Sequence, residues 1–251
     1  MANPVIRYEA HEKVSVITLN RPEKLNAISV ELQHQPLAAF LQADEDAETS
    51  VVLLQAEGRS FCAGYDISAK EPGTDDWRSN TTKAHQHLSV QLDFEMTPWT
   101  MKKPVIASVQ GHVMGGGCEL VMLCDLTIAA DNATFGEPEV RFSSVGPAIV
   151  MPMIIGYKRA RELLYFGDTI DAKSALELGM VNRVRAAPGV AGGKPPLRQA
   201  AVIDFAGSAL RDQACGQSRR RRRGFPHRDL CRARRCRPAL RDQDGIRNEV
   251  P

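Results

Sequence analysis

The sequence predicts an α/β fold with mostly parallel strands. Short apolar runs of strand length alternate with helical patterns between residues 14 and 178, which is the rhythm of repeated strand, turn and helix units. The continuous apolar run at residues 51–54 suits a sheet that is buried on both faces. Three glycines at residues 115–117 predict a tight turn between a strand and a helix.

The first quarter of the chain contains two predicted strands and one helix. Residues 14–19 alternate and are rich in β-branched side chains, which favours an extended strand. Ser29 is the expected N-cap of a helix near residues 30–42, and Pro36 inside this helix predicts a kink or a split. Residues 51–54 form the next predicted strand.

The remaining elements continue the same rhythm. The segment at residues 71–82 is polar and contains Pro72 and Gly73, so we expect a mobile surface loop there. Gly179 is expected to end the last helix. The patterns predict a helix over residues 83–95, strands at 105–109 and 126–130, a short extended piece at 134–135, and helices at 157–166 and 172–178.

Composition places the chain among ordinary globular proteins. It has 251 residues, of which 43% are hydrophobic and 25% charged. No apolar run approaches the ~18 residues of a membrane span, and the N-terminal residues lack the apolar core of a signal peptide. We therefore expect a cytoplasmic protein without membrane contact. The six cysteines lack metal-ligand spacing, so we expect no metal and interpret Cys62, Cys118 and Cys124 as buried, reduced thiols.

Charge divides the chain into two parts. Residues 1–185 carry 17 Lys and Arg and 24 Asp and Glu, a net charge of −7, whereas residues 186–251 carry 15 and 6, a net charge of +9. The second part contains five consecutive arginines, 219–223, and no sustained helical periodicity. It is either a disordered basic arm that binds a polyanion, or the product of a shifted reading frame in a GC-rich gene. We favour the shifted frame, because this tail contains no recognisable nucleic-acid-binding module.

The glycine turn is the strongest chemical feature of the chain. It follows the predicted strand at residues 105–109 and opens an apolar helix, so bare backbone N–H groups and a positive helix end face the same point. Glu119 lies in the first turn of that helix. One short segment therefore offers oxyanion donors and an acid or base for chemistry on a carbonyl compound.

Two further segments offer matching groups. Gly64 predicts a sharp turn that leaves the N–H of Tyr65 pointing outward, although this segment alone is weak support for a site. Glu139 lies in a turn-rich stretch after the predicted strand at residues 126–130. A single loop glutamate is usually a solvated surface charge, so Glu139 gains meaning only together with Glu119.

Taken together, these segments resemble the crotonase family, which is the enoyl-CoA hydratase/isomerase superfamily. The resemblance covers about residues 5–185, and several linked motifs in the same order make it specific. The matching segments are residues 21–27, 61–67, 103–107, 111–120, 124–126, 135–139 and 179–182.

This resemblance implies a superhelix of repeated ββα units, assembled as a trimer or a dimer of trimers, and an acyl-CoA thioester ligand. It places the two oxyanion donors on the backbone N–H groups of Tyr65 and Gly116. It implies no separate cofactor, because coenzyme A is part of the substrate. The coenzyme A-binding turns fall on Lys24, Leu25, Ala27, Ala63, Asp66 and Ile67.

The retained carboxyl groups indicate which reaction to expect. Hydratases of the family that resemble this chain carry glutamates at the positions of Glu119 and Glu139, whereas several isomerases, hydrolases and decarboxylases lack one of them. Hydration of an enoyl-CoA is therefore the first interpretation, and enoyl-CoA isomerisation is the alternative. A third possibility is a non-catalytic relative that binds acyl-CoA or RNA, with the basic tail supplying affinity.

Overall fold

A computed structural model describes residues 4–67, 80–142 and 150–187 of the protein. The described residues all belong to one compact unit, residues 1–205. Residues 71–79 of the expected surface loop lie outside the described residues, and so does the basic tail beyond residue 187.

The larger of two sheets contains six strands in the order β1-β2-β3-β4-β6-β9. β1 is antiparallel to β2, and every other neighbouring pair is parallel. This arrangement confirms the expected, mostly parallel α/β sheet. The strands are β1 (Ile6–His11), β2 (Val14–Leu19), β3 (Val51–Ala56), β4 (Val105–Val109), β6 (Leu126–Ala130) and β9 (Arg183–Arg185).

The smaller sheet has the order β5-β7-β8, with β5 (His112–Met114) parallel to β7 (Thr134–Gly136) and β8 (Thr169–Asp171) antiparallel to it. β4 and β6 lie in the larger sheet, and the strands that follow them, β5 and β7, lie in the smaller one. Two strands in different sheets followed by a helix make one ββα unit, as β4, β5 and the helix α4 (Gly116–Met122) show.

Both faces of the larger sheet are buried. Alternate residues of β3 illustrate this, because Val52 and Leu54 join one hydrophobic cluster whereas Val51 and Leu53 join a second. Every residue of β4 is buried. The continuous apolar runs of the sequence therefore report a sheet covered on both sides, as predicted.

Seven α-helices are described within these residue ranges, and they surround the sheets. Two 3₁₀ helices, Pro22–Lys24 and Pro138–Phe142, lie at turns. The α-helices are α1 (Val30–Glu45), α2 (Thr81–Glu95), α3 (Thr97–Thr100), α4 (Gly116–Met122), α5 (Met151–Ile155), α6 (Tyr157–Phe166) and α7 (Ala172–Leu178).

Helix caps set the helix boundaries. Ser29 caps α1 as predicted, since its side chain accepts a hydrogen bond from the N–H of Leu32. Pro36 was expected to kink or split α1, and the split is wrong, because the helix continues to Glu45 and packs its buried Leu32 and Phe40 into the core. Tertiary packing thus outweighs the loss of one backbone hydrogen bond at the proline. The kink stays a prediction.

The start of α2 also differs from the prediction. Asn80 caps this helix by accepting hydrogen bonds from the N–H groups of Thr82 and Lys83, so the helix begins at Thr81 rather than at residue 83. The sequence pattern missed this start because the capping residue lies at the end of a long polar stretch.

Cys62, Cys118 and Cys124 are buried and free, as predicted. Among the described helices, none has both the length and the apolar character needed to cross a membrane. The described ranges also contain no group of three or more His, Cys, Asp or Glu side chains arranged to hold a metal ion.

Candidate active site

The candidate site is built around the glycine turn between β5 and α4. Gly115 adopts φ 52° and ψ −130°, a conformation that L side chains rarely adopt, and its N–H donates to the carbonyl of Gly136. The turn therefore ties the end of β5 to the end of β7 and directs the first turn of α4 toward the same edge.

Glycine is required at these positions for steric reasons. A β-carbon built on Gly116 would lie 2.4 Å from Cε2 of Tyr65, and one built on Gly117 would lie 2.6 Å from Cβ of Cys62. The segment that contains Cys62 and Tyr65 thus packs directly on the start of α4. The two oxyanion segments that the sequence predicted are in contact.

The segment at residues 61–66 is held in place by the strand β5. The N–H of Cys62 donates to the carbonyl of His112, and the N–H of Met114 donates to the carbonyl of Cys62. Gly64 then turns the chain with φ 92°, as predicted, and its carbonyl accepts from the N–H of Ile28. The position of the Tyr65 backbone follows from these bonds.

The amides of Tyr65 and Gly116 are suited to hold a negatively charged oxygen. Gly116 is the first residue of α4, so its N–H has no partner inside the helix. Within the described ranges, neither amide has a hydrogen-bond acceptor. The amide of Gly116 lies at the positive end of α4, which favours an anionic group there, and Cα of Gly64, the residue before Tyr65, lies 3.7 Å from a β-carbon built on Gly115.

Glu119 lies in the first turn of α4 and is only 2% exposed. Burial, together with the negative charges of Glu95 and Glu139, raises the pKa of its carboxyl group to about 8. Its Oε1 atom has no hydrogen-bond partner among the described residues. Burial and the neighbouring carboxyl groups therefore favour the protonated form of Glu119.

Glu139 lies in the 3₁₀ helix Pro138–Phe142, and its side chain approaches the glycine turn. A β-carbon built on Gly115 would lie 2.2 Å from its Oε1 atom, so the carboxyl group rests against the glycine turn. Its side chain is half-buried, and burial raises its pKa. The structure thus brings together the two glutamates that the sequence selected.

Two further buried glutamates were not selected from the sequence. Glu95, the last residue of α2, is fully buried and accepts a hydrogen bond of 2.7 Å from the hydroxyl of Tyr65. Burial raises its pKa to about 7. No periodicity marks this position, because Glu95 ends a largely polar helical pattern.

The second missed glutamate is Glu137, which is 1% exposed. Burial, and then the charges of Glu119 and Glu139, raise its pKa well above the ordinary value. Its carboxyl group lies beside the Glu139 carboxyl and the Cys118 thiol, although neither of its oxygens makes a hydrogen bond of regular geometry in the described part of the chain. Its place between Gly136 and Pro138, at the end of β7, is the only signal in the sequence that could have indicated burial.

The two turns predicted to bind coenzyme A, at residues 24–27 and 63–67, are hydrogen-bonded to each other. The N–H of Ala63 donates to the carbonyl of Leu25, and Arg21 links both turns by donating to the carbonyl of Ala27 and, at 2.7 Å, to Oδ2 of Asp66. Leu25 adopts a left-handed conformation that tightens the first turn. Lys24 is exposed beside it, and Ile67 is 75% exposed at the end of the second turn.

Comparison with known proteins gives a consistent result. A protein-family model described as enoyl-CoA hydratase/isomerase matches residues 9–193. A probable enoyl-CoA hydratase of Mycobacterium leprae is 34% identical over 189 residues, which span 73% of this chain and 70% of that protein. A probable enoyl-CoA hydratase of Mycobacterium bovis is 34% identical over 191 residues, which again span 73% of this chain and 70% of that protein.

Solved structures agree on the fold. An enoyl-CoA hydratase/isomerase from Xanthobacter autotrophicus superimposes with a TM-score of 0.74 at 32% identity, over 92% of this chain and 80% of that chain. A crotonase-type protein from Legionella pneumophila superimposes with a TM-score of 0.77 over 93% of this chain and 89% of that chain. At 23% identity, this similarity supports the fold alone. The protein has the crotonase fold, and the chain belongs to the enoyl-CoA hydratase/isomerase family.

Proposed function

We propose that the protein is a lyase that adds water across the 2,3-double bond of an enoyl-CoA thioester. Its family acts on acyl-CoA thioesters and uses no separate cofactor, because coenzyme A belongs to the substrate. The observation that carries the proposal is the approach of Glu119 and Glu139 to one glycine turn, beside the amides of Tyr65 and Gly116.

Each group has a defined task in this reaction. The thioester oxygen accepts hydrogen bonds from the amides of Tyr65 and Gly116, and these bonds strengthen as negative charge moves onto the oxygen. A water molecule held by Glu119 and Glu139 loses a proton and forms a bond from its oxygen to C3. The ionised carboxyl accepts this proton, and the protonated carboxyl delivers its own proton to C2. One water is thus added across the double bond, and the pair still holds one proton, which returns to the first carboxyl before the next turnover.

The electrostatics of the site support this division of work. Two nearby carboxyl groups in a buried site resist ionising together, so the pair favours the state in which one proton is kept between them. Glu119, whose pKa is raised to about 8, retains that proton most strongly. A pair with one neutral and one ionised member can accept a proton from water and donate a proton to carbon.

Product analysis tests the proposed reaction. Purified protein is incubated separately with crotonyl-CoA and with a 3-enoyl-CoA, and the products are identified by liquid chromatography and mass spectrometry. We expect 3-hydroxybutyryl-CoA from crotonyl-CoA, with the mass gain of one water. Conversion of the 3-enoyl-CoA to the 2-enoyl-CoA without hydration of crotonyl-CoA would reject hydration in favour of isomerisation.

The rate of hydration is expected to fall as the pH rises through about 8. Because the pKa of Glu119 is raised to about 8, its carboxyl group holds a proton below that pH and loses it above. The site then lacks an acid, and kcat/KM, which reports ionisation of the free protein, decreases about tenfold per pH unit well above the midpoint. The measurement is kcat/KM for crotonyl-CoA across the pH range, with circular dichroism at each pH as the folding control. A value of kcat/KM that rises through this interval would contradict the assignment.

Three further expectations stay predictions. The resemblance implies a trimer or a dimer of trimers, and composition favours a cytoplasmic protein. The division into residues 1–185 and a tail, 186–251, rests on the change in charge, the loss of helical periodicity and the end of the family resemblance. Resequencing the gene distinguishes a genuine basic arm from a shifted reading frame, because an intact frame supported by independent reads would exclude the shift.

A further inference from the structure

Glu95 occupies a position that folding alone does not explain. Its side chain is fully buried, Oε1 accepts the hydrogen bond from Tyr65, and Oε2 has no partner within the described ranges. A buried carboxyl group with one unsatisfied oxygen is unfavourable, and an apolar side chain of similar size is often more stable in such a place. A compensating role in function is therefore expected.

The contacts of Glu95 converge on the proposed oxyanion donors. A β-carbon built on Gly116 would lie 2.4 Å from the Tyr65 ring and 2.9 Å from Oε1 of Glu95. The Tyr65 side chain therefore folds over Gly116, and Glu95 holds the phenol hydroxyl at the far end of the ring. A single hydrogen bond connects the end of α2 with both donor segments.

The surroundings of Glu95 are acidic. In the part of the chain that the structure describes, its titratable neighbours are Tyr65 and Cys62 from the turn, Glu119 from α4, and Glu139 from the 3₁₀ helix. None of these neighbours carries a positive charge. Any negative charge on Glu95 consequently makes ionisation of Glu119 less favourable.

We propose that Glu95 is a positioning residue, which fixes the Tyr65 amide against Gly116 through the phenol hydroxyl. The proposal rests on the function proposed above. Because Oε1 of Glu95 is bound to the phenol hydroxyl, Glu95 acts on the donor segment through Tyr65. An oxyanion hole requires this kind of support, since a donor displaced by about 1 Å can cost about 10² in rate.

Three variants distinguish the hydrogen bond between Glu95 and Tyr65 from the negative charge of Glu95. Tyr65→Phe removes the hydroxyl, Glu95→Ala removes the acceptor, and Glu95→Gln keeps an oxygen acceptor but removes the charge. We expect kcat for crotonyl-CoA to fall about 10- to 100-fold in Tyr65→Phe and Glu95→Ala, with KM changed less than about threefold. Glu95→Gln should retain kcat near pH 6 but lose activity at a lower pH than the wild type, because Glu119 loses a negative neighbour.

Ligand binding provides a readout that does not depend on hydration. The enolate form of acetoacetyl-CoA places negative charge on the oxygens that face the donors, whereas butyryl-CoA carries a neutral thioester. By calorimetry, Tyr65→Phe and Glu95→Ala should weaken acetoacetyl-CoA binding at least about tenfold and butyryl-CoA binding less than about threefold. Equal losses for both ligands would assign Glu95 a purely structural role and overturn the proposal.

A matched control is available elsewhere in the fold. Tyr8 donates a comparable hydrogen bond of 3.0 Å from its hydroxyl to Oδ2 of Asp46. Tyr8→Phe should leave kcat and both binding constants unchanged. If the wild type binds the enolate tightly but does not hydrate crotonyl-CoA, the proposed reaction fails, whereas the binding ratios still decide the role of Glu95.

Discussion

Replacing Glu119 or Glu139 by glutamine is expected to lower the rate of crotonyl-CoA hydration by about 10²–10⁴. Glutamine has nearly the same shape as glutamate but neither accepts nor donates a proton at the relevant pH. Glu119→Gln removes the group that retains the proton, and Glu139→Gln removes its partner against the glycine turn. The measurement is the loss of enoyl-thioester absorbance, which reports kcat and KM.

The size of the loss in the double variant carries additional information. If both carboxyl groups act on one water, the double variant should lose little more activity than the worse single variant. Glu162→Gln is the control, because Glu162 is exposed on α6 and pairs with Arg159 rather than with the site. Wild-type rates in both Glu119→Gln and Glu139→Gln would reject the assignment of these residues.

Gly115→Ala is expected to lower kcat for crotonyl-CoA by about 10² or more. Its new β-carbon would lie 2.2 Å from Oε1 of Glu139, and the end of that flexible side chain would have to move aside. Displacement of a catalytic group by about 1 Å costs about 10² in rate. The variant also strains the backbone, because Gly115 has φ 52° and ψ −130°.

Gly156→Ala separates the two effects. Gly156 also adopts a glycine-favouring conformation, with φ 81° and ψ 154°, but no neighbouring atom of the described residues lies within 4 Å of a β-carbon built there. Each variant should lower the free energy of unfolding by about 1–3 kcal/mol in thermal or chemical denaturation. Only Gly115→Ala should lower kcat, and an equal loss of kcat in both variants would attribute the effect to backbone strain.

Sequence patterns predicted the parts of this fold that depend on local chemistry. The apolar runs at β3 and β4 indicate strands buried on both faces. The glycine run at residues 115–117 indicates a turn in which a β-carbon at any of the three positions would lie too close to a neighbouring atom. Glu119 and Glu139 were predicted because each follows a recognisable turn and because the linked motifs resemble one family.

Features that depend on long-range contacts were not predicted. Glu95 is 30 residues from Tyr65 in the chain, and only the packing of α2 against the glycine turn brings them together. The short strands β5, β8 and β9 have three residues each, too few for a periodic pattern, and they form only because neighbouring strands offer partners. Pro36 was misjudged for the same reason, since the core contacts that maintain α1 are remote in sequence.

The burial of Glu137 limits how many other substitutions the chain can tolerate. A group whose pKa is higher in the folded protein than in the unfolded chain favours folding fully at pH values below its unfolded pKa, and that contribution is lost as the pH rises through the folded pKa. Near neutrality, Glu119 and Glu137 therefore leave the native state with a smaller reserve of stability than apolar side chains would give. Relatives that keep these buried acids while other residues change need stabilising contacts elsewhere in the fold. Substitutions in the well-packed strands β3 and β4 are therefore expected to be tolerated least.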